Sequence, residues 1–405
     1  MVFNVLANDG IGDEGVEVFR DAGINVSLEK LLGKDLFNGV GEFDGLLVRS
    51  ATKVSRDVIE AGTRDGGKLK IVGRAGVGYD NVDVDSAAQN GVVVKFAPHG
   101  NTNATAEAAF GLMISAARNI PQAHSSLSNG VWRKKQYSGI ELSNKTLGII
   151  GCGRIGQRLS ELVSGFGMSV IGYDAFSSQC SSKFPDSRIK YVKKEELLGN
   201  SDFVSIHTGG KDVVIGKGEL SMMKPSSILV NASRGKNIDE GALYNALVND
   251  QIRAAGLDSY ASEPKVEGSD VTESMKKLAT LDNIVLSSHL GASTKEAQSK
   301  TSREVAEVVR DFLLLGDYCN SVNTVRPRDE GEKCYPLFVL HDDVPNMFGK
   351  ISAMLAHFDV NIRANPSEVF GDTGKVNTVY LLHQSVTPKI IKGVRAIDGV
   401  YRVSV

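Results

Sequence analysis

Short apolar runs punctuate most of the chain, each followed by a stretch whose apolar residues recur at helical spacing. Residues 2–7 predict a strand, 14–22 a short helix, and 45–48, 70–72 and 92–96 three further buried strands. Strands alternating with helices imply a parallel sheet. Residues 103–128 then predict one long helix rich in small residues, entering a second unit. There Leu147, Ile149 and Ile150 form a buried strand, and Ile155, Leu159, Leu162, Val163 and Phe166 follow on one helical face. Further strands are predicted at 203–207, 228–231, 254–258 and 284–287. A helix at about 293–315, with Ala297, Val305, Val308, Val309 and Phe312 on one face, is expected to cross back to the first domain.

The last part of the chain changes pattern. Residues 319–334 are polar and read as a linker. Beyond them come a strand at 335–341, a helix at 345–358, two strands across 359–383, a helix at about 387–397 and a strand at 400–405. That order, βαββαβ, predicts a small ferredoxin-like unit. The predicted class is therefore α/β, with two doubly wound parallel-sheet domains and a ferredoxin-like domain. Residues 1–98 with 290–318 form the first, 99–289 the second and 335–405 the third.

The turn after the strand ending at Ile150 carries the most specific signal. Gly151, Gly153 and Gly156 fit G-x-G-x-x-G between a strand and a helix, and the next strand ends in Asp174. Gly151 allows a tight turn, Gly153 lets backbone approach a pyrophosphate, and Gly156 lets the helix pack on the strand. The helix N-terminus offers unpaired N–H groups and a partial positive charge to phosphates. Asp174 would accept from the ribose hydroxyls of the adenosine half. A 2′-phosphate there would meet a like charge, at a ceiling of about 4 kcal/mol per charge pair at 4 Å. The expected cofactor is NAD. The residues 1–98 lack this glycine pattern.

Composition narrows the class. Of 405 residues, 41% are hydrophobic and 23% charged, an ordinary globular balance. A net charge of -2 argues against electrostatic binding of nucleic acid. No apolar run approaches the roughly 20 residues that span a bilayer, and the N-terminus lacks a basic segment and cleavage site. Cys152, Cys180, Cys319 and Cys334 show no metal-ligand or redox spacing, so no metal and a reducing cytoplasm are expected.

Three polar residues sit just past predicted strand ends: Arg234, Glu263 and His289. In a parallel sheet those ends line one crevice. A His–carboxylate pair with an arginine suits oxidation of a hydroxy acid. The His takes the hydroxyl proton, the Glu orients it and raises its pKa, and the Arg grips the carboxylate in a forked contact. His207 also ends a strand, and spacing does not separate it from His289 as the base.

These residues belong to longer runs. They include Leu-Val-Arg49-Ser50-Ala-Thr-Lys-Val, Gly73-Arg74-Ala-Gly76-Val-Gly-Tyr-Asp-Asn-Val-Asp83 and Gly100-Asn101-Thr-Asn-Ala-Thr-Ala-Glu107. Trp132-Arg-Lys-Lys, Asn231-Ala-Ser-Arg234-Gly and Ser288-His289-Leu-Gly-Ala-Ser-Thr-Lys-Glu-Ala-Gln298 complete them. With these, residues 1–320 resemble the D-isomer-specific 2-hydroxyacid dehydrogenases, and within them those acting on D-3-phosphoglycerate. The resemblance implies catalysis by Arg234, Glu263 and His289, with His289 as proton donor or acceptor and His207 beside the cofactor. It implies NAD contacts from Gly151, Gly153, Arg154, Ile155, Gly156, Asp174, His207, Thr208, Ala232, Ser233, Arg234, Asp258, His289, Gly291 and Ala292. Arg49, Ser50, Arg74, Gly76 and Asn101 match substrate positions. Lys134 and Lys135 are candidates to add charge from a partner subunit. Relatives of this kind form homodimers or homotetramers.

Two departures stand out. The family's usual proline after the residue matching His207 is replaced by Thr208-Gly209-Gly210, which predicts a less restricted loop. Ser288 stands where relatives often have proline. The tail resembles an ACT domain, through His341-Asp342-Asp343-Val-Pro345 and Val360-Asn361-Ile362. The resemblance implies an L-serine site at His341, Asp343 and Asn361. Asp343 replaces the Asn of serine-inhibited relatives, and Asn346 replaces a glycine. The leading reading is oxidation of D-3-phosphoglycerate with NAD at the entry to serine synthesis. The alternatives are a reductase of glyoxylate or hydroxypyruvate, and an NAD-sensing binding protein without catalysis.

Overall fold

The computed structural model describes the chain apart from residues 1, 65, 178–179, 181–182, 211, 265–267, 316, 318–320, 324–334, 366, 370–373 and 405. It divides into two compact units, residues 1–100 with 298–405 and residues 101–297.

In the second unit, seven parallel strands lie in the order Ile284–Leu286, Ala254–Leu257, Ile228–Asn231, Phe203–Ile206, Thr146–Ile150, Ser169–Tyr173 and Lys190–Tyr191. Strand order reverses between Thr146–Ile150 and Phe203–Ile206, the point at which such sheets bind dinucleotides. The strands are nearly all apolar because both faces are covered. Leu147, Ile149, Phe203, Ile228 and Val230 are buried on one side, and Ile150, Val204, Ile206 and Leu229 on the other. The helix predicted over 103–128 is two helices, Thr102–Arg118 and Ile120–Ser128. Asn119 breaks it with a left-handed φ of 52°, and Pro121 follows in the first turn of the next helix. Helical spacing of small residues continued across the break and concealed it.

The first unit holds a five-stranded parallel sheet in the order Asn25–Ser27, Asn4–Ala7, Gly45–Val48, Ile71–Arg74 and Val93–Phe96. The helix Lys295–Leu315 begins at the end of the second unit. Its Val305, Val309 and Phe312 join the core of the first beside Val5, Leu47 and Ile71. Most of the expected linker 319–334 lies outside the described residues, as do Cys319 and Cys334. Residues 321–323 are not linker-like. Ser321 bridges Lys95, Val322 N–H donates to Val94 O at 2.9 Å, and the Asn323 side chain bonds both Val94 N–H and Val92 O. They extend the sheet edge, whose unpaired N–H and C=O groups need partners.

The same unit contains an antiparallel sheet in the order Ile362–Ala364, Lys375–Leu382, Tyr335–Asp342 and Val400–Ser404. Ser367–Val369 also pairs with Lys375–Leu382, so three strands stand where two were expected across 359–383. Helices Met347–His357 and Pro388–Arg395 cover it, and Leu337, Ile351, Tyr380 and Val403 fill its core. Asn346 has φ 66°, the left-handed conformation that Asn adopts more readily than other non-glycine residues.

Candidate active site

The glycine turn is built as its spacing predicts. Gly151 has φ 93°, and a Cβ there would lie 2.6 Å from the His207 carbonyl oxygen. A Cβ on Gly156 would lie 2.5 Å from Gly151 O, so the helix packs tightly on the turn. A Cβ on Gly153 would meet nothing within 4 Å, which leaves open space above the turn. Helix Arg154–Ser164 has no side-chain cap and no acid in its first turn, so no acid of its own opening turn offsets the positive end of its dipole. Arg154 and Ile155 open that helix. Asp174 closes the adjacent strand, and its carboxylate accepts from Cys152 N–H and Phe176 N–H, each at 2.8 Å. These bonds aim the acid at the turn. The open cradle above Gly153, the uncapped helix and Asp174 fit a dinucleotide.

His207 follows the strand Phe203–Ile206. Its Nε2 lies 2.9 Å from Ser205 Oγ, and its buried Nδ1 has no hydrogen-bond partner among the described residues. Burial pushes its pKa down to about 4, so the ring is neutral at pH 7. Thr208 Oγ1 donates to Asn237 Oδ1 at 3.0 Å. The loop beyond, expected to be less restricted, is tied down by the Asn237 side chain, which donates to Gly210 O and Asp212 O. Asn237 is fully buried on a different segment, and no local signal pointed to it.

The rim residues converge through a second set of buried ties. The Asn231 side chain accepts from Ser233 N–H and Oγ–H and donates to Arg234 O, fixing the segment from Ala232 to Arg234. A Cβ on Gly235 would overlap the Tyr260 backbone, so this loop presses on the one carrying Glu263. Tyr260 N–H donates to Glu263 Oε1, and its hydroxyl donates to Ser287 O at 2.8 Å. Asp258, 1% exposed, accepts from Ser287 Oγ, Leu290 N–H and Gly291 N–H at 2.6–2.8 Å. It thereby clamps the residues on both sides of His289. Thr105 Oγ1 donates to Gly291 O, and Ala292 is exposed beside it. Within this clamp His289 has φ 56°, unusual for a non-glycine residue.

The structure pairs His289 with Glu263. The imidazole Nδ1 lies 2.8 Å from Glu263 Oε2 and 3.0 Å from Oε1. The Glu263 bond holds the His289 pKa above its ordinary value, against burial and the nearby Arg234 charge. Burial opposes ionisation of Glu263, but the His289 bond, the Tyr260 N–H and the Arg234 charge outweigh it and hold that carboxyl below its usual range. With Nδ1 committed to Glu263, Nε2 is the nitrogen left to exchange a proton with a ligand.

In the first unit, Ser50, Arg74 and Gly76 come together. Arg74 donates to Ser50 Oγ at 3.1 Å and to Ala75 O. Gly76, at φ 134°, leaves room for the guanidinium, which a Cβ would strike. The exposed Arg49 is held by its backbone: its N–H donates to Asp9, and Asn81 donates to its carbonyl. Asp9 and Asn81 are supports that spacing did not reveal. Asn101, in the second unit, precedes helix Thr102–Arg118, and its buried Oδ1 has no hydrogen-bond partner among the described residues. Lys134 and Lys135 are exposed.

In the antiparallel sheet His341 is 1% exposed. Its Nδ1 donates to Asp342 O at 2.7 Å, and its Nε2 lies 2.8 Å from Thr378 Oγ1. Asp343 and Asn361 are exposed, and no hydrogen bond among the described residues joins the three.

The family described as D-isomer specific 2-hydroxyacid dehydrogenase, NAD binding domain, matches residues 110–291. A D-3-phosphoglycerate dehydrogenase of Methanocaldococcus jannaschii is 38% identical over 349 residues, covering 85% of this chain and 64% of its own length. The chain thus spans less than two thirds of that relative. A hydroxypyruvate reductase of Thermotoga maritima is 39% identical over 318 residues, covering 78% of this chain and 99% of its own. The solved structure of a D-2-hydroxyisocaproate dehydrogenase superposes with a TM-score of 0.69 at 26% identity, over 79% of this chain and 99% of that one. The chain belongs to the D-isomer specific 2-hydroxyacid dehydrogenase family and carries its NAD-binding domain.

Proposed function

We propose that this protein oxidises D-3-phosphoglycerate to 3-phosphohydroxypyruvate, the first step of L-serine synthesis. The observation that carries the reading is the His289–Glu263 pair at 2.8 Å, next to the Arg234 charge and clamped by Asp258. NAD, when bound, supplies the hydride acceptor. Gly151, Gly153 and the N-terminus of helix Arg154–Ser164 hold its pyrophosphate, and Asp174 its adenosine ribose. His289 Nε2 takes the hydroxyl proton as the carbinol hydrogen leaves as hydride, and Glu263 stabilises the imidazolium so formed. Arg234 grips the substrate carboxylate and polarises the forming carbonyl. Neutral His207 lacks a carboxylate partner among the described residues, which supports His289 as the base.

Arg49, Ser50 and Arg74, with Gly76 and Asn101, bind the substrate in this reading, and the two arginines favour a phosphorylated one. The relative named hydroxypyruvate reductase keeps reduction of an unphosphorylated 2-oxo acid as the second reading. Initial rates decide between them. NADH should form with D-3-phosphoglycerate, and hydroxypyruvate should be reduced far more slowly; the reverse order would select the second reading. The same assay with L-serine tests the effector site at His341, Asp343 and Asn361. A homodimer or homotetramer, as in the family, is tested by mass in solution.

A further inference from the structure

A cleft of about 770 Å³ opens in the first unit, where the antiparallel sheet meets the parallel one. Its volume is that of a small-ligand site. Arg64, Lys68 and Lys70 line one wall, Arg395 and Arg402 the other. Lys70 is answered by Asp44 at 3.1 Å. Glu60 is the one acid lining the cleft among the described residues, and it lies 3.8 Å from Arg56.

Arg402 is built into place. Its guanidinium donates to Asn90 O at 2.7 Å and to Leu69 O. Gly91, at φ 65°, makes way for its stem, since a Cβ there would lie 2.7 Å from Arg402 Cδ. Carbonyl oxygens satisfy its N–H groups without neutralising its charge. Arg395, at the end of helix Pro388–Arg395, donates to Val403 O at 2.8 Å and adds a second positive charge. Burial, with the Arg395 charge, lowers the pKa of Arg402 to about 10. Among the described residues no acid pairs with Arg395 or Arg402; partly buried positive charge of this kind is costly, and an anion in the cleft would relieve it.

We infer that this cleft binds a small multivalent anion, a phosphate ester or a polycarboxylate, held between Arg395 and Arg402 on one wall and Arg64 and Lys68 on the other. The site uses none of the groups assigned to hydride transfer. A ligand there would touch both sheets of the unit at once.

Calorimetric titration of the full chain with inorganic pyrophosphate, without substrate or NAD, tests it. Citrate in a parallel titration separates the phosphate from the polycarboxylate form. The wild-type protein should bind at least one of the two, more weakly as salt rises. The double variant Lys68→Gln/Arg395→Gln should lose about tenfold or more in affinity while its unfolding temperature without ligand stays unchanged. Arg74→Gln should bind like the wild type. No binding to the wild-type protein, equal affinity in the double variant, or loss only in Arg74→Gln would each overturn the inference.

Discussion

The two parallel sheets begin alike and end with opposite chemistry at their first turn. In both, a strand runs through a glycine-containing turn into a helix: Asn4–Ala7 into Asp13–Asp21, and Thr146–Ile150 into Arg154–Ser164. In the first, Gly12 N–H already donates to Ser302 Oγ, and Asp13 and Glu14 occupy the opening turn of the helix. Asp9, with a side chain 3% exposed, stands at the strand end and accepts from Arg49 N–H, Thr52 N–H and Thr52 Oγ. The protein's own acids and hydroxyls thus meet the positive end of that helix. In the second, the opening turn carries no acid, and Gly153 leaves open space. One fold therefore yields an internal brace in one unit and an acid-free helix start beside open space in the other, according to where the acids stand.

The largest expected effect falls on the unit with the cradle. His289→Ala should lower turnover by about 10²–10⁴-fold, as loss of a proton-transfer group does. Binding of NADH, followed by its fluorescence, should persist. Near-normal turnover would remove His289 from proton transfer.

Asp174→Ala should narrow the preference for NAD over NADP by about tenfold or more, because the like charge facing a 2′-phosphate is gone. The variant also frees Cys152 N–H, so some loss of NAD affinity should accompany it. An unchanged ratio of kcat/KM values for the two cofactors would refute the charge argument.

Glu263→Gln tests the electrostatics of the pair. Oxidation needs a neutral imidazole, so kcat/KM should rise with pH through the His289 pKa, which Glu263 holds above 6.5. In the variant that limb should move down toward the ordinary imidazole value, because the bond from Glu263 that raises it is gone. The sign for stability agrees. The His289 contribution is full below the unfolded value of about 6.5 and is lost as pH rises through the raised folded value, while that of Glu263, whose pKa is lowered, is lost as pH falls through its folded value. An unmoved limb would show that Glu263 does not tune the ring.

The smallest effect sharpens the comparison of the turns directly. Gly10→Ala, at φ 71° with open space around its Cβ, should cost only about 1 kcal/mol of backbone strain. Gly151→Ala, which would also press on the His207 carbonyl, should cost about 3 kcal/mol and weaken NAD binding. Equal shifts in unfolding temperature would mean that the second turn is no more tightly built than the first.

Much of this architecture was legible in the residues. Apolar runs marked the longer strands, since a strand covered on both faces must be continuously apolar. Gly151, Gly153, Gly156 and Asp174 declared the cradle, because backbone freedom and helix polarity are local properties. The short edge strands Asn25–Ser27 and Lys190–Tyr191 escaped notice, being too brief to show a period. Spacing left His207 and His289 unseparated, and the tertiary structure shows how differently the two rings are held. One ring is buried against Ser205, and the other meets a carboxylate 26 residues away in the chain. It alone revealed Asp258 as the clamp on the His289 loop and Asn237 as the tie on the Gly210 loop. It also turned residues 321–323 from linker into sheet edge. Such partners are chosen by the order of strands in the sheet and the direction of the loops leaving them, and hydrophobic periodicity carries no information about either.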